Sequence, residues 1–392
     1  MYMYKAKIVL AAFLAVMISN TVPLYAEQKV EGSLSLTVDA KSAVIMEPFT
    51  GKVLYAQNPD ERLAPASVTK IMTILLIYDA IEQGNIAYDD IVSVSEHAAK
   101  MGGSQIFLEP GEKQTVRDLL KSVIIASAND ASVALAEFVS GSEESFADLM
   151  NKRAAGLGMA NTQFKNACGL DAEGHYTSAF DIALMTRELI SKYPQVYDYT
   201  KVWQDTIIHR TKRGDEEFGL TNTNRLIKWY NGATGLKTGS TGKALYCLSG
   251  TAERGGMDLI AVVLASPDPS ARFQEVMKML DYGFANYKMM DGKEPGTDAG
   301  TVRVSKGGRD ELPVIVRGSV RTVVPKVSTG GLEPEIRIIG SVSAPVADGA
   351  KVGEIIYRYN GAEVGRSDLV TGAGTEEASL LEMMGKVWGM WF

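Results

Sequence analysis

Ala64-Pro65-Ala66-Ser67-Val68-Thr69-Lys70-Ile71-Met72-Thr73 is the stretch on which the reading of this chain turns. Pro65 precedes Ser67, and the run Ile71 to Ile77 is apolar all round, so it reads as the start of a buried helix and not of a surface amphipath. Serine and lysine three residues apart lie on one helical face. At a helix start, free backbone N–H groups and the helix dipole favour developing negative charge. A hydroxyl is a weak nucleophile without a base, and a lysine becomes one where burial and cationic neighbours lower its pKa. Taken alone, Ser-x-x-Lys is common by chance and usually marks a solvated helix start.

Two further strings change its weight. Ser127-Ala128-Asn129 follows the apolar run Ser122 to Ala126, and Lys237-Thr238-Gly239 follows Gly235 and precedes a region that reads as strands. Each is weak by itself, and Lys-Thr-Gly ahead of a strand is usually just a turn. Ser-x-x-Lys, a Ser-x-Asn element and Lys-Thr-Gly in that order are the motif set of penicillin-binding proteins and β-lactamases.

Around the motifs the periodicity outlines the layout. Ala43 to Met46 and Val53 to Tyr55 read as a hairpin about Pro48-Phe49-Thr50-Gly51. Val116 to Ile125, Ala131 to Phe138, Ser145 to Leu157 and Ala179 to Lys192 carry apolar residues at helical spacing. Ala244 to Thr251 and Asp258 to Ala265 read as strands, and Arg272 to Tyr287 as a helix with Phe273, Val276, Met277, Leu280 and Phe284 on one face. Strands at both ends with helices between predict an α+β domain whose terminal strands share one antiparallel sheet. Asp291 to Gly300 reads as a linker. Short β-prone runs follow (Thr301 to Val304, Leu312 to Val316, Thr322 to Val324, Ile336 to Ile339, Ile355 to Tyr359), which predict a small all-β domain, most simply a sandwich. The expected divisions are 1–26, 27–290, 300–372 and 375–392. At 392 residues with 46% apolar and 22% charged side chains, two folded domains are the natural expectation.

The ends have their own signatures. Lys5 and Lys7 followed by the apolar stretch Ile8 to Ile18 and by Leu24-Tyr25-Ala26 read as a secretory signal cleaved after Ala26; the run is too short to span a bilayer. The segment Ala378 to Phe392, with Leu380, Leu381, Met383, Met384, Val387, Trp388, Met390, Trp391 and Phe392, reads as an amphipathic helix lying in a membrane surface. A net charge of −7 argues against a nucleic-acid partner. His97, His175 and His209 sit at no metal-ligand spacing, so no metal is expected. Cys168 and Cys247 suit either a disulfide or two buried thiols.

The three motifs, the two segments Ser127-Ala128-Asn129-Asp130-Ala131 and Asn222-Thr223-Asn224-Arg225-Leu226, and Gly235-Leu236-Lys237-Thr238-Gly239-Ser240-Thr241 together resemble the low-molecular-mass penicillin-binding proteins, the D-alanyl-D-alanine carboxypeptidases of peptidase family S11. The resemblance runs from about Ala43 to the C-terminus, and among subgroups the chain looks most like carboxypeptidases of spore-forming bacteria. It implies a DD-peptidase domain, a β-rich second domain and a membrane anchor, hence an exported enzyme at the outer face of the cytoplasmic membrane. It implies that Ser67 attacks the carbonyl between the terminal D-alanines of peptidoglycan stem peptides, with Lys70 as base. Ser127 would relay the proton under the field of Lys237, and Asn129 would hold the substrate backbone and Lys70. The N–H groups of Ser67 and Ser240 would form the oxyanion hole, with Gly239 between the motif residues. Thr238 and Arg272 would bind the terminal carboxylate. β-Lactams would trap Ser67, and no cofactor is needed.

Rival readings are few. A class A β-lactamase would need a Glu-x-x-Leu-Asn element between the second and third motifs, which is absent. A D,D-endopeptidase or transpeptidase of the same superfamily shares the motifs. A non-catalytic peptidoglycan-binding envelope protein would have no chemical need for Ser67, Lys70, Ser127, Asn129 and Lys237 together. A Ser-His-Asp triad using His175 and Asp171 is discounted, because Lys70 already supplies a base.

Overall fold

A computed structural model describes residues 36–211 and 214–389, without the side chains of residues 387–389. The expected export signal, the Trp388 side chain and Trp391 lie outside the described residues.

The sheet that organises the first part of the chain is built from both of its ends. Strands β1 (Ser42–Met46) and β2 (Val53–Gln57) form the hairpin read from the sequence. Strands β3 (Ala233–Thr241), β4 (Leu245–Arg254) and β5 (Met257–Ser266) complete a five-stranded antiparallel sheet in the order β2-β1-β5-β4-β3. The register pairs Val44 with Val262 and Lys237 with Ser249. Alternation along β1 sends Val44 and Met46 into one core and Ala43 and Ile45 into another, so both faces of the sheet are covered.

One face carries the helices. These are α1 (Lys70–Glu82), α2 (Val116–Ile125), α3 (Asn129–Ser140), α4 (Glu143–Gly156) and α5 (Ala179–Lys192). Helix α1 is buried from Lys70 to Ala80, as its unbroken apolar run requires. Thr115, Ser142 and Ser178 cap α2, α4 and α5 by accepting from the backbone N–H groups of Asp118, Ser145 and Asp181. On the other face lies α6 (Ala271–Asn286), which buries Phe273, Val276, Met279, Leu280 and Phe284. Met277, expected on that face, is only partly buried, and Met279 takes the inward place.

Two elements differ from the sequence reading. Lys237-Thr238-Gly239 does not precede the strands but lies inside one, the edge strand β3. A hairpin, Gln204–Thr211 with Gly214–Thr221, packs Ile207 and Leu220 onto the helical core. Both segments are rich in Thr, Gly and charge, so the hydrophobic alternation that announces a strand is weak in each.

The second part of the chain is β-rich, as read. Its six-stranded sheet is ordered Glu333–Ile338, Lys351–Tyr359, Ala362–Thr371, Glu311–Val316, Asp298–Ser305, Ser341–Ser343. The stretch expected to be a linker is tied down instead. Tyr287–Asp291 leaves α6 directly as a strand paired with Arg321–Pro325. Gly292 N donates to Val320 O, and Lys293 N to the Tyr357 hydroxyl. Val323 is buried in the same core as Phe284 and Tyr287, and Lys52 Nζ donates to its carbonyl.

Leu75, fully buried at the centre of α1, gives a direct test of this packing. Leu75→Ala removes its contacts and leaves a cavity, so unfolding stability is expected to fall by about 2–5 kcal/mol. The fall should be read as a lower urea midpoint at unchanged slope.

Candidate active site

Ser67 lies in a short 3-10 turn, Ala66–Thr69, that leads into α1. Ala66 carries a left-handed φ of 49°, a conformation that costs an L-residue about 1–2 kcal/mol. Its effect is to turn the chain so that Ser67 stays partly exposed while Lys70 is fully buried. The one-face spacing of the motif is realised, with Lys70 Nζ 3.0 Å from Ser67 Oγ. The amine also donates to Asn129 Oδ1 at 2.6 Å and to the Cys168 carbonyl at 2.7 Å. Burial pushes the Lys70 amine down to about 8, against smaller opposing effects from Cys168 and Asp130.

The second motif arrives at the mouth of α3. Ser127 also has a left-handed φ, 60°, and is buried. Its hydroxyl accepts from Lys237 Nζ at 2.8 Å, so two of the three motifs meet here. Asn129 is held by its own backbone and side chain: its N–H donates to Ser104 O at 2.7 Å and its Nδ2 to Gly102 O at 2.6 Å. Asp130 accepts from the N–H groups of Ile106 and Leu108, fixing the loop that Asn129 leans on.

The third motif runs along the edge of the sheet. Lys237 is buried, and its pKa is held well below the ordinary lysine value, first by burial and then by the nearby charges of Lys70 and Arg272. Thr238 is buried and shares a 2.8 Å hydrogen bond with the Thr223 hydroxyl. Gly239 lies hard against the turn that carries Ser67. A Cβ at 239 would sit 2.9 Å from Pro65 O and 3.0 Å from the backbone nitrogens of Ser67 and Val68. Ser240 follows, exposed. Arg272, in the first turn of α6, donates from Nη1 to Gly239 O at 3.0 Å, so it too is delivered to the third motif. Its Nε is buried with no hydrogen-bond partner among the described residues.

The structure thus brings all nine sequence-predicted residues together around the edge strand β3 and the turn bearing Ser67. It also adds the Cys168 carbonyl and Thr223. A backbone carbonyl leaves no signal in a sequence, whereas Thr223 lies in the Asn222 to Leu226 stretch that the family resemblance includes. The two cysteines are free buried thiols. His175 is turned elsewhere: its Nδ1 accepts from Lys165 N–H and its Nε2 meets Thr69 Oγ1 at 3.0 Å. Burial lowers its pKa to about 4. Asp171 accepts from Thr241 Oγ1. Among the described residues no cluster of metal-ligating side chains occurs.

A serine hydroxyl beside a buried lysine of lowered pKa, with the edge strand packed close against the turn that carries it, is an arrangement suited to serine acyl transfer. Comparison with known proteins fixes the kind. Residues 27–268 match the sequence family described as D-alanyl-D-alanine carboxypeptidase, peptidase S11, and residues 287–377 match the C-terminal domain of penicillin-binding protein 5. The D-alanyl-D-alanine carboxypeptidase DacF of Bacillus subtilis is 43% identical over 94% of this chain and 94% of its own. DacC of Escherichia coli, also a D-alanyl-D-alanine carboxypeptidase, is 36% identical over 93% of this chain and 89% of its own. The crystal structure of penicillin binding protein 5 from Haemophilus influenzae superposes with a TM-score of 0.73 at 30% identity, covering 88% of this chain and all of that one. The chain belongs to the S11 family of serine-type D-alanyl-D-alanine carboxypeptidases, penicillin-binding proteins that act on peptidoglycan.

The contact at Gly239 yields a sharp expectation. Gly239→Ala would force apart the strand and the turn bearing Ser67, displacing the backbone N–H groups of Ser67 and Val68. Loss of an N–H donor to a developing oxyanion costs on the order of 10²-fold in rate, so acylation by benzylpenicillin should slow by about that factor, with a lowered melting temperature from the backbone clash.

Proposed function

We propose that Ser67, Lys70, Ser127, Asn129 and Lys237 are the catalytic machinery of this carboxypeptidase, with Thr238, Gly239, Ser240 and Arg272 forming the substrate site. The observation that carries the proposal is the set of partners around Lys70 Nζ. Asn129 Oδ1 and Cys168 O are acceptors only and consume two of its N–H bonds. The direction that remains points at Ser67 Oγ. In the neutral amine that direction holds the lone pair, so Lys70 is oriented to take the proton as Ser67 attacks the carbonyl between the terminal D-alanines.

Ser127, bonded to Lys237 Nζ, offers a hydroxyl to pass a proton to the leaving D-alanine nitrogen. The oxyanion is received by the N–H groups of Ser67 and Ser240, which the approach of Gly239 brings to the same point. Among the described residues, edge strand β3 bonds to β4 on one side only, so its outer edge is available to pair with an extended peptide. The substrate's free carboxylate meets the Thr238 hydroxyl and the Arg272 guanidinium, whose planar fork suits two carboxylate oxygens. Recognition of a free carboxylate favours release of a terminal residue over endopeptidase cleavage. Water then hydrolyses the acyl-enzyme.

The rest of the assignment concerns place. We infer that residues 1–26 direct export, that 27–290 and 300–372 are the peptidase and β-rich domains, and that 375–392 hold the enzyme on the outer face of the cytoplasmic membrane. No helix among the described residues is long and apolar enough to cross a membrane. Support for surface binding comes from the helix Leu380–Gly389, which exposes Leu380, Leu381, Met383 and Met384, a large apolar face to leave in water.

The Ser67 assignment is checked by mass spectrometry after benzylpenicillin treatment, together with D-alanine release from diacetyl-Lys-D-Ala-D-Ala. The native enzyme should show one adduct on Ser67 and release D-alanine; Ser67→Ala should do neither, and retained release would sink the nucleophile. The base is checked by pH. Lys70 must be neutral to accept a proton, so the acylation rate should rise as pH rises through about 8 and level off above it. Lys70→Arg, permanently charged, should abolish acylation at every pH.

A further inference from the structure

The segment Asn222-Thr223-Asn224 belongs to none of the three motifs, yet it is held at several points beside the strand that carries the third. Asn222 Nδ2 donates to Thr200 O at 3.1 Å and Val202 O at 2.8 Å, and its Oδ1 accepts from Asn224 N–H. Asn224 Oδ1 in turn accepts from Leu226 N–H at 3.1 Å, and both asparagines are buried. Two locked asparagines therefore bracket Thr223. Its N–H donates to the carbonyl of Ile125, the last residue of α2, two positions before Ser127. Its hydroxyl is 2.8 Å from that of Thr238. One residue thus bonds to the segment that delivers Ser127 and to the strand that delivers Lys237 and Thr238.

We infer that Thr223 is a positioning residue of the carboxylate pocket, which holds the Thr238 hydroxyl with its proton aimed at the substrate. The inference rests on the reading of Thr238 given above. A hydroxyl has one proton, and a carboxylate only accepts. Thr238 can donate to the substrate only if its proton is not spent on Thr223, so in the 2.8 Å contact Thr223 must be the donor. That donation occupies a lone pair of Thr238 and leaves its proton directed away from Thr223. Bonds arranged head to tail in this way polarise one another. Without Thr223 the Thr238 hydroxyl rotates freely, and the ordering is lost on each binding event.

The effect should fall on binding of the free carboxylate. Loss of about one oriented hydrogen bond corresponds to roughly a five- to tenfold change. Thr223→Val, nearly the same shape without the hydroxyl, is expected to raise KM for diacetyl-Lys-D-Ala-D-Ala by that factor with kcat nearly unchanged, as for uniformly lost binding. Cleavage of the C-terminal amide of the same peptide, whose neutral oxygen is a weaker acceptor than a carboxylate, should respond less. Thr223→Ser, which keeps the hydroxyl, should restore the native KM, and Thr223→Ala provides a second deletion if the valine variant does not fold. Equal effects on acid and amide, or no effect on either, would overturn the inference. Thr238→Val is measured alongside. If it distinguishes acid from amide while Thr223→Val does not, positioning by Thr223 fails alone. If Thr238→Val treats both alike, the carboxylate role of Thr238 fails and the inference with it.

Discussion

Lys70 and Lys237 place two amines in one buried space, and among the described residues their hydrogen-bond acceptors are hydroxyls, an amide oxygen and carbonyls, with no carboxylate in direct contact. Burying an unpaired charge is costly, so burial shifts both amines toward their neutral forms. Much of the neighbourhood follows from that constraint. Each amine needs acceptors arranged around it, so Asn129 is clamped by Gly102 and Ser104 and the Cys168 carbonyl is turned inward. Asp130 lies close enough to favour the charged form of Lys70 without touching it, while its oxygens are taken up by the backbone of the 106–108 loop. The balance brings the Lys70 amine down to about 8, so a minority of it is neutral at pH 7 and most of it only above pH 8.

The fold class and the motif residues were legible because their signals are strong and local. The α1 run is apolar on every side, and α2 and α5 begin and end where their periodicity does. Strand β3 was not legible, since Gly235, Lys237, Thr238 and Gly239 carry no hydrophobic alternation; their burial comes from motif contacts on both sides. The linker expected at 291–300 rested on composition. Glycine and aspartate there serve tight turns within a packed junction, which composition alone does not distinguish from a free tether. Arg272 could be placed only by the strand that precedes its helix, and its contact with Gly239 O is a tertiary fact with no trace in local sequence.

That junction also bears on how the two parts work together. Strand Tyr287–Asp291 is continuous with α6, the helix that carries Arg272 in its first turn and packs on the sheet behind the cleft. Arg321 donates to Gly256 O in the turn between β4 and β5, and Lys326 to Phe284 O. The β-rich part is therefore fastened to the same elements that hold the site from behind, through side chains as well as through the chain itself.

The closeness of Gly239 to the turn bearing Ser67 has an evolutionary side. A bacterium under antibiotic pressure could exclude a drug by adding bulk near the nucleophile, but a single methyl group at 239 already collides with the backbone on which the native substrate depends. On the proposed assignment of Ser67, drug and substrate meet at that point because each presents it with a carbonyl to attack. Escape routes that keep the enzyme useful must therefore run through the rim of the cleft, where the two molecules differ, and not through its floor.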